Sequence, residues 1–251
     1  MLGTCKLCTL QKDLQDSHLM PRALYKMARG SGRKGNQDPY VLSAKARKSS
    51  SHQIKDYVLC RDCEQRFSKN GEDYVMRLVT KRDGKFPLLD MLNAIPPTMK
   101  MPKWSTYSAS QTPEIDRAKI AYFALSVFWR ASVHTWEQES GEKVRIDLGG
   151  KYNEEIRRYL LGETAIPARA SLLVAACTDE VSQKTFFTPE ENSKVRDRSF
   201  GVLVRGLFFL FRITKTPAPW QAGLSMVNNS REWILVWNCF EQAIWRLGAG
   251  A

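Results

Sequence analysis

The chain has 251 residues, 43% of them hydrophobic and 25% charged, with a formal net charge of +12; that suffices for one good core, or for a core plus a small appended module. Six cysteines are too few for a disulfide scaffold, and the polar first residues give no secretory signal, so a reducing, cytoplasmic setting is expected. The most apolar tract, 200–213, is too short for a membrane span and contains Arg205 and Arg212.

Residues 1–20 read as a cysteine knuckle followed by a short strand. From Pro21 to Ala28 a helix is expected, with Pro in its first turn and Leu24, Met27 and Ala28 at helical spacing. Gly30 to Gly35 end it in a basic loop. Residues 36–52 are polar and finish on Lys45, Arg47, Lys48 and His52, a mobile stretch that, with Arg33 and Lys34, suits phosphate contact. Asp56 to Leu59 is extended, and a helix carrying Glu64, Phe67 and Glu72 begins near Asp62.

Residues 86–102 look irregular and place a boundary between 95 and 112. Thr112, Pro113 and Glu114 have the form of a helix start. The helix they open, to about Trp136, is apolar on every side between Ile120 and Trp129 and is therefore expected at the centre of the core. An amphipathic helix covers 153–161 and stops at Gly162. Strands are expected at 171–176, 184–187, 202–213, 223–227 and 233–237, with a charged turn at 196–198 and a final helix at 240–247. The fold class is α+β: an N-terminal module, 1–95, followed by a mixed helix and antiparallel-sheet body, 112–251.

Four cysteines come as two matched doublets, Cys5-Lys6-Leu7-Cys8 and Cys60-Arg61-Asp62-Cys63. A turn with two residues between thiolates presents both sulfurs to one ion, and two such pairs point to a tetrahedral four-cysteine zinc site; the plainer alternative is buried free thiols or a redox pair. Cys177 and Cys239 sit in apolar surroundings and read as buried, inert thiols. The charge is uneven. Residues 1–110 hold 20 Lys and Arg against 10 Asp and Glu (net +10), and the remainder 18 against 16 (net +2). A basic module on a nearly neutral body points to a polyanion, and nucleic acid fits because phosphate neutralisation releases counterions.

Cys5-x-x-Cys8, Asp16-Ser17-His18-Leu19-Met20-Pro21 and Leu59-Cys60-x-x-Cys63-Glu64-x-x-Phe67-Ser68 follow one another over residues 1–80. This order resembles the zinc-braced form of the HNH endonuclease, or ββα-metal, family. The resemblance implies a β-hairpin and helix clamped by structural zinc, with His18 as general base and a divalent Mg²⁺ or Mn²⁺ on the scissile phosphate. It implies Glu64, with Asp16, as the ligands of that second ion. An imidazole suits the base because it accepts a proton near neutrality, and a carboxylate is a good hard ligand. The chain departs from the family pattern in three places. Ser17 stands where the family places a metal-binding His or Asp, Glu64 stands where it has His or Asn, and Gln53 is the nearest amide where it has Asn.

Each of these residues also has a plainer role: His18 as a hydrogen-bonding or zinc-binding part of the knuckle, Glu64 as a carboxylate favoured at a helix start. His134 reads as a core or interface residue, and His52 as a loop residue or phosphate contact. Two functions follow. One is a metal-dependent nuclease acting on DNA, with Arg33, Lys34, Arg47 and Lys48 on the phosphates. The other is a zinc-knuckle module that binds nucleic acid, or docks a protein partner or a second copy through its body, without cleavage.

Overall fold

The computed structural model describes residues 1–28, 40–42, 47–49, 53–79, 85–191, 198–213 and 223–237. β1 (Leu2–Thr4) and β2 (Gln11–His18) enclose the first cysteine pair, and α1 (Arg22–Ala28) follows. β3 (Tyr40–Leu42) and β4 (Arg47–Ser49) pair with each other, while β5 (Lys55–Cys60) returns to β2, giving a sheet in the order β1-β2-β5. α2 (Arg61–Phe67) leaves the end of β5 directly and runs on through a π-helical segment (Ser68–Glu72) into α3 (Asp73–Val79). α4 (Pro87–Asn93), β6 (Met99–Lys100) and β7 (Trp104–Tyr107) lead to the long helix α5 (Arg117–Val133). β8 (Trp136–Glu137), β9 (Lys143–Val144) and α6 (Gly150–Leu161) come next. β10 (Ala170–Cys177), α7 (Glu180–Lys184), β11 (Phe186–Glu191), β12 (Arg198–Val204), β13 (Leu207–Ile213) and β14 (Ile234–Trp237) complete the described chain.

The protein is mixed α+β, as expected. Its large sheet has the order β11-β12-β13-β10-β14-β7-β6 and is antiparallel except for the parallel pair β10–β14. Several elements differ from the expectation. The apolar tract 202–213 is two strands rather than one, because Arg205 (φ 44°) and Gly206 (φ 83°) both adopt the left-handed conformation of a tight two-residue hairpin turn. Residues 223–227 make no strand: the Ser225 hydroxyl accepts from Leu172 N at 3.1 Å and Val227 N at 3.2 Å, in place of a ladder. Lys184 ends α7, which Asp179 caps by accepting from Ser182 N at 2.8 Å, so β11 starts only at Phe186. Pro87 opens a helix inside the stretch read as irregular. Part of the stretch read as mobile is the β3–β4 hairpin; residues 30–35, Cys239 and the final helix at 240–247 lie outside the described residues.

Helix α5 organises the molecule. It starts at Arg117, capped by Asp116 accepting from Lys119 N at 3.0 Å, and not at Thr112. Every residue from Ile120 to Ser132 is buried. Phe123 and Phe128 meet Phe209 and Phe211 of the large sheet at ring distances of 5.7 and 5.4 Å, while Tyr122 and Trp129 meet Phe67 of α2 at 6.2 Å each. Apolar on all sides, α5 therefore lies between the sheet and the N-terminal helices, and one apolar cluster runs from Cys5 to Val236. At Gly71 the π segment approaches α5 so closely that a Cβ would lie 2.8 Å from Phe123 N, a position only glycine can take. Helix α6, ended by Gly162 at φ 79°, ties down the knuckle: Arg157 donates to Leu7 O at 2.8 Å, and Arg66 donates to Leu161 O at 3.0 Å.

Candidate functional site

The first cysteine pair occupies a tight turn between β1 and β2. Cys5 N donates to Leu10 O at 3.0 Å and Thr9 N to Cys5 O at 2.9 Å, with Thr9 at φ 61° to let the chain turn back. Lys6 N reaches Val58 O of β5 at 3.1 Å, which lays this turn on the second pair. Cys60 is the last residue of β5 and Cys63 lies in the first turn of α2, so the strand-to-helix junction itself spaces their sulfurs. All four Sγ atoms lie within 4.8 Å of one another, and Cys8 and Cys60 are 3.9 Å apart. Bonds of about 2.3 Å in a zinc tetrahedron give edges of about 3.8 Å, and the cysteines are free thiols. The cluster fits one structural zinc ion.

A hydrogen bond from Cys63 holds the Cys5 thiol down to about 4, while the same bond pushes Cys63 up and burial pushes up Cys60. Among themselves the sulfurs retain the protons that a dication would release. Cys60 N also donates to Cys5 Sγ at 3.3 Å, as a backbone amide does to a charged sulfur.

His18 ends β2, beyond the clamp. Its Nε2 lies 2.7 Å from Gln53 Oε1; with the amide oxygen facing the ring, Nε2 carries the hydrogen and Nδ1 is the basic nitrogen. Burial lowers the His18 pKa below its usual value, with Arg22 and Lys55 acting in the same direction and Gln53 and Asp16 opposing. The ring is therefore neutral at pH 7. Tyr25, 6.1 Å away between ring centres, backs it and accepts from Ile54 N at 3.3 Å. Lys55 sits opposite His18 in the β2–β5 register and pairs with Asp16.

Strand alternation sends Ser17 the other way. It is buried, its hydroxyl accepting from Leu59 N at 3.0 Å and lying beside the Glu64 carboxyl. Burial raises the Glu64 pKa, against the attraction of Arg130, and its Oε1 is enclosed with no hydrogen-bond partner. Arg130 of α5 is 1% exposed; it donates to Glu72 Oε1 at 2.6 Å and to His18 O at 2.7 Å, and it lies 5.3 Å from the Phe67 ring centre. Sequence reasoning missed Arg130 because nothing in the sequence marks a contact across 112 positions. An arginine directly after the apolar run 120–129, still within the same buried helix, was the available signal.

The residues expected to hold a second ion do not come together. Among the described residues the four cysteines are the only group of three or more His, Cys, Asp or Glu side chains gathered tightly enough to share an ion. Asp16 lies on the His18 face, paired with Lys55, and Glu64 lies on the inner face near Arg130. Arg47 and Lys48 stand on β4, opposite Leu42 and Val41; Arg33, Lys34 and His52 lie outside the described residues. His134 is the residue after α5 and joins the hairpin to the body, its Nε2 2.9 Å from Asp56 Oδ2 and its ring 5.0 Å from Trp136. Cys177 is buried, and burial raises its pKa, as suits an inert thiol. Among the described residues no helix is long and apolar enough to cross a membrane.

Comparisons with protein-family models, with curated proteins and with solved structures found no match to this chain.

Proposed function

We propose that residues 1–80 form a zinc-clamped ββα module of HNH type that hydrolyses phosphodiester bonds of nucleic acid, DNA in the first instance, with His18 as general base. The observation that carries this reading is the setting of His18: half-buried at the end of β2, with Nε2 engaged by Gln53, Lys55 opposite it in the strand register and Arg22 close by. Nδ1 takes a proton from water, the water oxygen bonds to phosphorus, and the bond to the leaving oxygen breaks with its electron pair on that oxygen, which takes a proton from solvent. Arg22 and Lys55 face the charge that gathers on the phosphoryl oxygens. The Mg²⁺ or Mn²⁺ that the resemblance implies would need Glu64 and Asp16; Asp16 is paired with Lys55 on the His18 face of β2 and Glu64 stands on α2 beside Ser17, so the two do not fit one ion. The step is therefore assigned to side chains alone. Nucleic acid as the partner rests on the net +10 of residues 1–110, from 20 basic against 10 acidic residues.

A second reading, nucleic-acid binding without cleavage, is favoured by the burial of Glu64, which stands beside the inward-facing Ser17 and away from the His18 face. Plasmid and oligonucleotide cleavage assays, with and without Mg²⁺ or Mn²⁺, separate the two. Under the first reading the wild type cuts, and His18→Ala is slower by about 10²–10⁴-fold. Salt-sensitive binding with no cleavage by either protein under any condition selects the second reading.

A further inference from the structure

The cleft between hairpin and helix has the charge of a cation site. Glu72 of the π segment pairs with the buried Arg130, whose guanidinium lies on the Phe67 ring, and Glu64 of α2 stands within electrostatic reach of both. The chain itself supplies the positive charge here. We propose that Arg130 is a built-in cation, which takes the place of a divalent ion in this cleft and acts as a positioning residue for His18. The inference rests on the ββα frame of the proposed function but not on cleavage.

Three nitrogens of the guanidinium have separate tasks. Nη1 holds the carbonyl of His18 at 2.7 Å, pinning the strand end from which the imidazole projects. Nη2 neutralises Glu72 at 2.6 Å, and Nε turns to Ser126 O of its own helix at 3.4 Å. A Mg²⁺-sized ion needs about six oxygens in near-ideal octahedral geometry. Here the Glu72 oxygen belongs to Arg130, the Ser17 hydroxyl accepts from Leu59 N, and Asp16 is on the far face with Lys55. A dication entering this place would also stand beside a desolvated guanidinium, where repulsion is little screened. Arg130 is 1% exposed and cannot reach a substrate, so it acts through the main chain of His18. The π segment belongs to the device: it closes on α5 at Gly71, one residue before Glu72 turns to the arginine.

The test is a titration of the zinc-loaded full chain with Mn²⁺, followed by the paramagnetic resonance signal of free Mn²⁺. The wild type is expected to bind none at micromolar concentrations. One tightly held Mn²⁺ per chain, lost in Glu64→Gln, overturns the proposal. Arg130→Met, with both carboxylates released, is expected to bind Mn²⁺ at least tenfold more tightly than the wild type; a folded variant with no gain counts against the cation role. Arg130→Lys keeps the charge without the fork, so it should still exclude Mn²⁺ while moving the His18 titration seen by NMR. An unchanged titration in that variant removes the positioning role. Mn²⁺ exclusion without cleavage leaves this inference standing and defeats the cleavage reading. Cleavage that requires Mn²⁺ bound through Glu64 overturns this inference and the metal-free form of the step, while nuclease activity itself stands.

Discussion

Two centres a few residues apart in sequence solve the same electrostatic problem in opposite ways. The cysteine cluster gathers four sulfurs within 4.8 Å of one another, a set that fits one zinc ion from solution. The cleft behind Ser17 gathers Glu64 and Glu72, and there the chain supplies the positive charge itself through Arg130. The difference lies in the ligands. Thiolates are soft and compact and leave room for zinc, whereas carboxylates at the edge of an apolar core are matched by a guanidinium whose planar fork satisfies several acceptors together. One centre leaves its charge to be met by an ion, and the other draws it from a helix residue 112 positions away in sequence from His18.

The largest effect should come from emptying the first centre. Structural zinc in small modules contributes roughly 10–16 kcal/mol to folding, and the cluster here belongs to the apolar core shared with the body. Metal analysis should find one zinc per chain, and Cys60→Ser should lose it together with the cooperative thermal transition seen by circular dichroism. A metal-free protein that melts like the wild type would reduce the four cysteines to packing.

That centre was legible in the sequence because each doublet is local: a tight turn spaces Cys5 and Cys8, and a strand–helix junction spaces Cys60 and Cys63. The central helix was legible too, since an apolar run with no polar stripe has nowhere to lie but inside. The cleft was not. Alternation along β2 separates His18 from Ser17, but which face meets the helix depends on a register that the sequence does not display. Gln53 was singled out as the nearest amide, and only the fold brings it to 2.7 Å from the ring. The break inside 202–213 was marked by Gly206 alone, because Arg205, which takes the other left-handed turn position, is not a residue that signals a hairpin.

Breaking the second centre should have a smaller but still large effect. Arg130→Met leaves Glu72 without its partner and Glu64 without its nearest positive charge, and removing one member of a buried pair costs about 3–5 kcal/mol. Urea denaturation measures it. Adding Glu64→Gln and Glu72→Gln to Arg130→Met should recover most of the loss, because no uncompensated charge then remains inside. If the triple variant is no more stable than Arg130→Met, the arginine contributes through its packing on Phe67 rather than through its charge.

The smallest effect is the most direct report on what the two centres hold in place. Burial sets the His18 pKa below its usual 6.5, and the Gln53 hydrogen bond partly restores it. Between the folded value and 6.5 the unfolded chain binds a proton that the folded chain does not. Stability therefore rises with pH through that window and is at its lowest below the folded pKa. Gln53→Ala removes the raising influence, so its His18 pKa should fall further, read from the imidazole resonances in an NMR titration. The stability difference from the wild type at pH 5 should stay below about 1 kcal/mol. The acid limb of any His18-dependent cleavage should move to lower pH in the same variant, because the base is then deprotonated over a wider range. An unchanged or higher His18 pKa in Gln53→Ala would mean that the amide does not hold the ring, and the base would lose its orienting partner.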